Sequence, residues 1–209
     1  MGALIKRKDW GAKPPTDSYT SIKAPREGTV HYTSSQITFT GRKDVSRPEK
    51  PGPKWYKLWR NKATPVAQRR AISRMLTAYN VASRGLPAVN RVSPAVAALE
   101  RGIMRSIQAF HQGPSRNWVD IAYHRVIFAS GNVYEGRPRN VMGAHAVGAN
   151  DTTGYCFVMD GNDKPTGYMI QAFLDQVKLD GITSYVGHRQ RPGNSTSCPG
   201  DALTAALNL

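Results

Sequence analysis

The sequence is poor in cysteine and has no long apolar run. Two cysteines among 209 residues exclude a scaffold that is held together by many disulfides. No apolar stretch approaches the roughly 18 residues that a membrane-spanning helix needs, so no membrane span is predicted. Residues 1–15 carry charges where a secretory signal peptide needs its apolar core, so no signal peptide is predicted either.

Acidic residues are also scarce. Fourteen of them stand against 29 lysines and arginines, which gives a formal net charge of +15. Such an excess indicates an anionic partner, which can be nucleic acid, a membrane surface or an acidic cell-wall polymer. Because 40% of the residues are hydrophobic and only 21% are charged, the chain is predicted to be globular, with enough residues for one domain. Charge alone does not choose among the partners.

Strands and helices alternate along the chain without a repeat. Residues 1–27 are rich in Pro, Lys and Arg and are predicted to be irregular. Strands are predicted over 28–33, 122–129, 133–137, 155–159 and 184–188, and helices over 65–83, 93–110, 166–179 and 201–207. This alternation predicts an α/β fold in which a mixed central β-sheet is flanked by helices.

Two histidines and one cysteine form a possible metal site. His31 lies in the first long strand, His188 ends the last strand, and Cys198 follows ten residues later in a loop rich in Pro, Gly and Ser. Two imidazoles and one thiolate give zinc three protein ligands and leave the fourth position for water, as in catalytic sites. Spacing alone leaves open a purely structural histidine and a small buried cysteine.

Seven short motifs then follow one another in a fixed order. They are KDWGA at 8–12, VHYT at 30–33, WVDIAYH at 118–124, VYEGRP at 133–138, GAHA at 143–146 followed by Asn150, GHR at 187–189 and TSCPG at 196–200. The ordered set resembles the zinc N-acetylmuramoyl-L-alanine amidases of the phage-lysozyme and peptidoglycan-recognition-protein superfamily, and most of all a phage endolysin amidase domain. The matches cover about 1–40 and 100–209, so the resemblance implies one catalytic domain over 1–209 with an insertion at about 41–95.

The resemblance also implies roles for individual residues. His31, His188 and Cys198 become the ligands of one zinc ion. Tyr123 falls on the catalytic tyrosine of the family, and Thr196 takes a position where relatives carry Lys or Thr. A zinc ion polarises the carbonyl of an amide and lowers the pKa of bound water, while the two hydroxyl groups can donate hydrogen bonds to the oxyanion that develops.

Other residues near these motifs are less distinctive. His145 and Asn150 are predicted to line the substrate groove, with a structural role for His145 as the open alternative. Cys156 takes the place where some bacterial relatives have a Glu acid/base, but it is predicted to be a small core residue, which leaves the general acid/base unidentified. His124 is predicted to be structural, and His111 is predicted to end a helix whose dipole favours a cation.

The segment 41–70 has no counterpart in the family pattern. It holds ten Lys and Arg but two acidic residues, a net charge of +8. Lys54, Trp55, Trp59 and Arg60 are predicted to bind the cell wall weakly, since aromatic rings can stack on sugars while cations meet anionic groups. The alternative is an ordinary solvated face.

Three functions are compatible with these observations. The favoured one is a zinc peptidoglycan hydrolase that cleaves the amide between the lactyl group of N-acetylmuramic acid and L-alanine. The second is a peptidoglycan-binding module without catalysis, which has no chemical need for Cys198; the third is a nucleic-acid-binding protein, for which no recognition motif is present. The favoured function implies a monomer that binds peptidoglycan and anionic wall polymers but no nucleic acid. As an endolysin it is expected to stay in the host cytoplasm until lysis.

Overall fold

The computed structural model describes residues 4–33, 94–159 and 164–209. The strands of this part are β1 (Leu4–Ile5), β2 (Glu27–Tyr32), β3 (Arg125–Ile127), β4 (Val133–Glu135), β5 (Thr153–Phe157) and β6 (Ser184–Gly187). The helices are α1 (Arg7–Trp10), α2 (Pro94–Gln112), α3 (Gly167–Leu179) and α4 (Asp201–Leu207), and a short 3-10 turn follows β6 at His188–Gln190. None of the helices in these ranges combines the length and apolarity needed to span a membrane.

These strands form one mixed sheet. Their order is β1-β4-β3-β5-β2-β6. Strands β3 and β4 pair antiparallel, while β1 with β4, β3 with β5, β5 with β2, and β2 with β6 pair parallel. The register places His31 of β2 beside Cys156 of β5, which in turn lies beside Val126 of β3. Because paired residues of parallel strands point to the same side, these three side chains share one face of the sheet.

Each face of the sheet carries its own hydrophobic core. On the face of His31, the helix α2 buries Ile103, Met104 and Ile107 against strand residues. On the other face, α3 and α4 bury Phe173 and Leu203, among others, against the sheet. Each such side chain contributes about 1.5–3 kcal/mol when it is fully buried. The apolar residues of these helices are therefore explained by what the helices cover.

The strand predicted over 122–129 is shorter than expected, since β3 begins at Arg125. Before it, the buried guanidinium of Arg137 donates to the carbonyl of Ile121 at 2.6 Å, to that of Met142 at 2.7 Å and to that of Asp120 at 3.2 Å. The contacts to Ile121 and Asp120 fasten the chain just ahead of the predicted strand. Tyr123 lies in the irregular stretch between them and β3.

The N-terminal arm is more ordered than predicted, because it contains β1 and α1. Trp10 is completely buried, and its indole Nε1 donates to the carbonyl of Glu135 at 2.8 Å. Arg7 forms an ion pair with the buried Asp120 at 2.8 Å. Burial of one large aromatic ring and one paired carboxylate thus fixes a segment whose composition predicted irregular structure.

Part of the sequence prediction lies outside the described residues. The helix predicted over 65–83 and the basic segment 41–70 fall there. The same holds for the predicted wall-binding residues, which are Lys54, Trp55, Trp59 and Arg60. These assignments stay predictions.

Candidate metal centre

The three predicted metal ligands come together at one edge of the sheet. His31 lies near the end of β2, His188 directly follows the parallel neighbour β6, and Cys198 lies in the loop that leads to α4. Because parallel strands end at the same edge, the topology places the two imidazoles side by side, with ring centroids 4.5 Å apart. The three donor atoms all lie within 4.8 Å of one another.

The donor set and its spacing fit a zinc ion. Sγ of Cys198 is 3.8 Å from Nδ1 of His31. In tetrahedral zinc coordination a sulfur and a nitrogen ligand lie about 3.6 Å apart, given the usual zinc–ligand bond lengths. Two imidazoles and one thiolate are ligands that zinc prefers, and three protein ligands leave one position open.

Burial keeps the donors in defined protonation states. Burial lowers the pKa of His31 well below its ordinary value, so the imidazole is neutral, which is the form that binds metals. Burial also raises the pKa of Cys198 to about 12, although a hydrogen bond from the N–H of Tyr32 and the nearby Arg189 act in the opposite direction. A metal ion at this site therefore replaces the thiol proton of Cys198.

Each histidine has a hydrogen-bond partner on its other ring nitrogen. Nε2 of His31 is 3.1 Å from Nδ1 of His145, whose own Nε2 is 3.1 Å from the carbonyl oxygen of Thr152. Nε2 of His188 is 2.9 Å from Oδ1 of Asn194. The sequence did not indicate Asn194, and no motif marks it; its position in the loop between His188 and Cys198 is the single available signal.

A cavity of about 550 Å³ lies beside the three donors. Tyr123 lines it, and so do residues from the end of α2 and the loop that follows. In that loop the guanidinium of Arg116 lies 5.4 Å from the ring of Phe110 and 5.1 Å from that of Trp118. The cavity thus combines a donor cluster on one side with an aromatic and cationic wall on the other.

Tyr123 lies where its ring borders the metal donors. Its ring centroid is 5.3 Å from that of His31, and the ring packs against the hydrophobic core on this face of the sheet. Burial raises the pKa of Tyr123 well above its ordinary value, and the neighbouring Cys156 and Cys198 add to this effect. The phenol therefore keeps its proton at neutral pH and can serve as a hydrogen-bond donor. Cys156 itself is fully buried, as predicted for a core residue.

The remaining predicted site residues also line the cavity. Thr196 is exposed, and its Oγ1 accepts from the N–H of Cys198 at 3.1 Å. Asn150 accepts from the N–H of His145 at 2.7 Å and from that of Ala146 at 2.9 Å. The substrate roles of Thr196, His145 and Asn150 stay predictions, while these contacts show that each of them also holds local structure.

His124 and His111, which do not border the metal donors through a hydrogen bond, bind backbone. His124 is buried, and its Nδ1 accepts from the N–H of Gly154 while its Nε2 lies 3.0 Å from the carbonyl oxygen of Val141, in agreement with the predicted structural role. His111 is structural as well, but it is not the cation that the helix dipole led us to expect. Burial lowers the pKa of His111 to about 3, and its Nδ1 accepts from the N–H of Ala122, so the ring is neutral.

We expect the free energy of unfolding to fall as the pH drops below about 6.5, because His111 and His124 are buried as neutral rings. Burial lowers their pKa values to about 3 and about 4, whereas both bind a proton near pH 6.5 in the unfolded chain. Their stabilisation is complete above pH 6.5 and is lost as the pH falls towards the pKa values in the folded state, by up to about 1.4 kcal/mol per pH unit for each histidine.

Urea unfolding between pH 7 and 5 measures this loss of stability. The substitution His111→Asn keeps an acceptor for the N–H of Ala122. It should lower the slope of the unfolding free energy against pH by the equivalent of about one proton, and an unchanged slope would contradict a buried neutral His111.

Curated proteins match the chain over about half of its length. It is 40% identical over 104 residues to peptidoglycan-recognition protein SC2 of Drosophila melanogaster, and the match covers 46% of this chain and 56% of that protein. It is 35% identical over 111 residues to the human N-acetylmuramoyl-L-alanine amidase, and the match covers 48% of this chain and 19% of that protein. The chain thus spans about half the length of the insect relative. No protein-family model matches it.

Solved structures share the fold. Wild-type Drosophila PGRP-LB has a TM-score of 0.63 at 23% identity, with 100% of this chain and 94% of that chain covered. A mutant of Drosophila PGRP-LB in complex with tracheal cytotoxin has a TM-score of 0.62 at 24% identity, with 98% and 92% covered. At such identities the likeness establishes the fold, and the predicted α/β architecture with a mixed central sheet is confirmed.

Proposed function

Because these relatives and structural neighbours support the superfamily of peptidoglycan-recognition proteins and N-acetylmuramoyl-L-alanine amidases, we propose that the chain is a zinc-dependent peptidoglycan hydrolase. Its proposed reaction cleaves the amide between the lactyl group of N-acetylmuramic acid and L-alanine. The observation that carries the proposal is the convergence of His31, His188 and Cys198, whose donor atoms lie within 4.8 Å of one another beside a cavity of about 550 Å³.

The donor set determines which chemistry the metal contributes. A zinc ion held by His31, His188 and Cys198 supplies Lewis-acid polarisation of the amide carbonyl and lowers the pKa of its water ligand. His31, His188 and Cys198 would supply two neutral imidazoles and one thiolate, so that one of the four coordination positions of zinc would stay open. Such an open position is what separates a catalytic zinc site from a structural one.

Tyr123 is the proposed donor to the oxygen of the scissile carbonyl. The phenol is neutral, it lines the cavity, and its ring lies 5.3 Å from that of His31. A hydrogen bond to an oxygen that gains negative charge stabilises the transition state more than the ground state. Thr196 is the second proposed donor: its Oγ1 accepts from the N–H of Cys198, so its hydroxyl proton can point towards the substrate.

The shape of the cavity supports a sugar–peptide substrate. Its volume of about 550 Å³ lies in the range of sites that enclose most of a small organic ligand. Phe110, Arg116 and Trp118 line the cavity and give one wall aromatic and cationic character, which suits a ligand that carries sugar and carboxylate groups. His145 and Asn150, which also border the cavity, remain proposed substrate-lining residues.

A peptidoglycan-binding module without catalysis is the alternative. The relatives include proteins named for recognition as well as proteins named as amidases, so binding alone fits part of the comparison. The three converging metal donors favour catalysis, because a binder has no chemical need for a thiolate at the edge of its cavity.

The proposed function also includes binding to the cell wall and a cellular setting. The net charge of +8 over 41–70 would hold the enzyme on anionic wall polymers through Lys54, Trp55, Trp59 and Arg60. An endolysin of a bacteriophage, monomeric and kept in the host cytoplasm until lysis, is the proposed biological form.

Analysis of the digestion products tests this function. Purified zinc-loaded protein is incubated with peptidoglycan, and new amino termini and new reducing sugar ends are counted. We expect new L-alanine amino termini without new reducing ends. Reducing ends without amino termini would indicate a glycosidase, and sedimentation with the wall without any release would indicate the binding module.

A further inference from the structure

We propose that Asn194 and His145 are positioning residues, which hold the two histidine ligands in the tautomer that presents Nδ1 to the metal. The proposal rests on the metal-binding part of the proposed function and is independent of which bond the enzyme cleaves. Neither residue donates an atom to the donor cluster. Both act on His31 and His188 from the side opposite to it.

The carbonyl of Thr152 determines the tautomer of His31 through His145. A carbonyl oxygen only accepts hydrogen bonds, so Nε2 of His145, 3.1 Å away, carries the proton. In the neutral ring Nδ1 of His145 is then an acceptor, and its partner 3.1 Å away, Nε2 of His31, must donate. The lone pair of His31 consequently lies on Nδ1, which is the atom that faces Sγ of Cys198 at 3.8 Å.

The ring of His145 is held in a space that two glycines leave open. A Cβ atom added to Gly143 or to Gly154 would lie 2.5 Å from Cδ2 of His145, which is closer than real Cβ contacts occur. Asn150 in addition binds the backbone N–H groups of His145 and Ala146. The loop and the start of β5 are therefore shaped around this imidazole, which is itself buried.

The backbone of Val147 determines the tautomer of His188 through Asn194. Oδ1 of Asn194 accepts from the N–H of Val147 at 3.0 Å, and Nδ2 donates to the carbonyl of Val147 at 2.9 Å. This pair of hydrogen bonds fixes which end of the amide is the oxygen. Since that oxygen also faces Nε2 of His188 at 2.9 Å, Nε2 of His188 carries the proton and Nδ1 carries the lone pair.

One stretch of chain, residues 143–152, thus supports both ligands. His145 and the Thr152 carbonyl serve His31, and Val147 serves His188 through Asn194. Hydrogen bonds of this kind orient the ring, raise the basicity of the ligand atom and typically affect metal affinity 10–100-fold when lost.

The first experiment observes the tautomers directly. Uniformly ¹⁵N-labelled protein is loaded with zinc, and the imidazole nitrogens are assigned by long-range ¹H–¹⁵N NMR. For both His31 and His188 we expect a protonated Nε2 and a metal-bound Nδ1. A protonated Nδ1 on either ligand would overturn the proposal for that ligand.

The second experiment measures zinc affinity by chelator competition. We expect Asn194→Ala and His145→Leu to weaken zinc binding about 10–100-fold. His145→Asn keeps an oxygen acceptor for the ring of His31 and should stay within about threefold of the wild type. Gln171→Ala, which also removes an amide but on the exposed face of α3, is the control and should bind zinc like the wild type.

Each outcome separates this proposal from the proposed function. Wild-type affinity in Asn194→Ala, whose site is partly exposed, would overturn the positioning role even if His145→Leu fails to fold. Weakened affinity in Asn194→Ala and in His145→Leu, with near wild-type affinity in His145→Asn, would support it, even if the zinc-loaded wild type releases nothing from peptidoglycan. A wild-type chain that binds no zinc would refute both proposals.

Discussion

Replacement of Cys198 by serine is expected to abolish zinc binding and peptidoglycan hydrolysis while the fold is retained. Serine has nearly the same shape, but its hydroxyl does not ionise near neutral pH and is a poor zinc ligand compared with a thiolate. With two imidazoles left, we expect less than one zinc ion per ten chains after dialysis, and activity lower by about 10³-fold or more because the metal chemistry is lost.

The matched control is the other cysteine. Cys156 is fully buried and lies beside His31 in the sheet, but it belongs to the core and not to the donor cluster. Cys156→Ser should therefore keep one zinc ion per chain. Circular dichroism and thermal unfolding verify that both variants fold. Full zinc content and full activity in Cys198→Ser would remove Cys198 from the ligand set.

The second large effect is expected for Tyr123→Phe. This substitution removes one hydroxyl from a half-buried ring and leaves the metal donors untouched, so zinc binding should not change. Loss of one donor to a developing oxyanion typically lowers kcat by about 10²–10³-fold. Because the interaction strengthens mainly in the transition state, KM should change little.

Thr196→Val gives the comparison for Tyr123. Thr196 is exposed, whereas Tyr123 is half-buried, and a hydrogen bond in full contact with water is worth less than one in a more buried site. We expect a smaller loss of kcat, about tenfold. Wild-type kcat in Tyr123→Phe, with the fold and the zinc content intact, would show that Tyr123 does not act as a donor in the reaction.

Elements with a strong local signal could be predicted from the sequence. Thr166 caps α3, and its Oγ1 accepts from the N–H of Met169 at 3.2 Å, so this helix begins where the sequence places it. The helix predicted over 201–207 has the bounds of α4. In both cases the hydrophobic spacing and the end signals lie within a few residues of one another.

Elements that depend on distant contacts could not be predicted. The order in the N-terminal arm comes from Trp10 against Glu135 and from Arg7 against Asp120, and these pairs are separated by more than a hundred residues. The guanidinium of Arg137 likewise binds the carbonyl of Ile121, 16 positions earlier in the chain. None of these contacts can be inferred from composition or periodicity.

His111 shows how two physical effects compete. A helix C-terminus favours a cation by about 0.3–1 kcal/mol, which is less than one pKa unit. Full burial can lower the pKa of a histidine by 3–5 units, and burial does so here. The helix end was visible in the sequence, but the packing of His111 against Trp118, with ring centroids 4.9 Å apart, was not.

The candidate site also has residues that the sequence predicts and residues that it does not. His31, His188 and Cys198 could be named from ordered motifs, and the structure brings their donor atoms together. Asn194 was missed because its contact with Val147 joins residues 47 positions apart. His145 was predicted for the substrate, yet its position against His31 depends on the space left by two glycines, which only the fold reveals.

The most direct test of the central claim is hydrolysis of a defined muramoyl peptide in H₂¹⁸O. The zinc-loaded enzyme should release a peptide with a free L-alanine amine and place one ¹⁸O atom in the lactyl carboxylate, as measured by mass spectrometry, and activity should follow one zinc ion per chain. Chelator-treated protein and Cys198→Ser should release neither product. Label at a sugar carbon or within the peptide, or full turnover without zinc, would contradict the proposed zinc amidase.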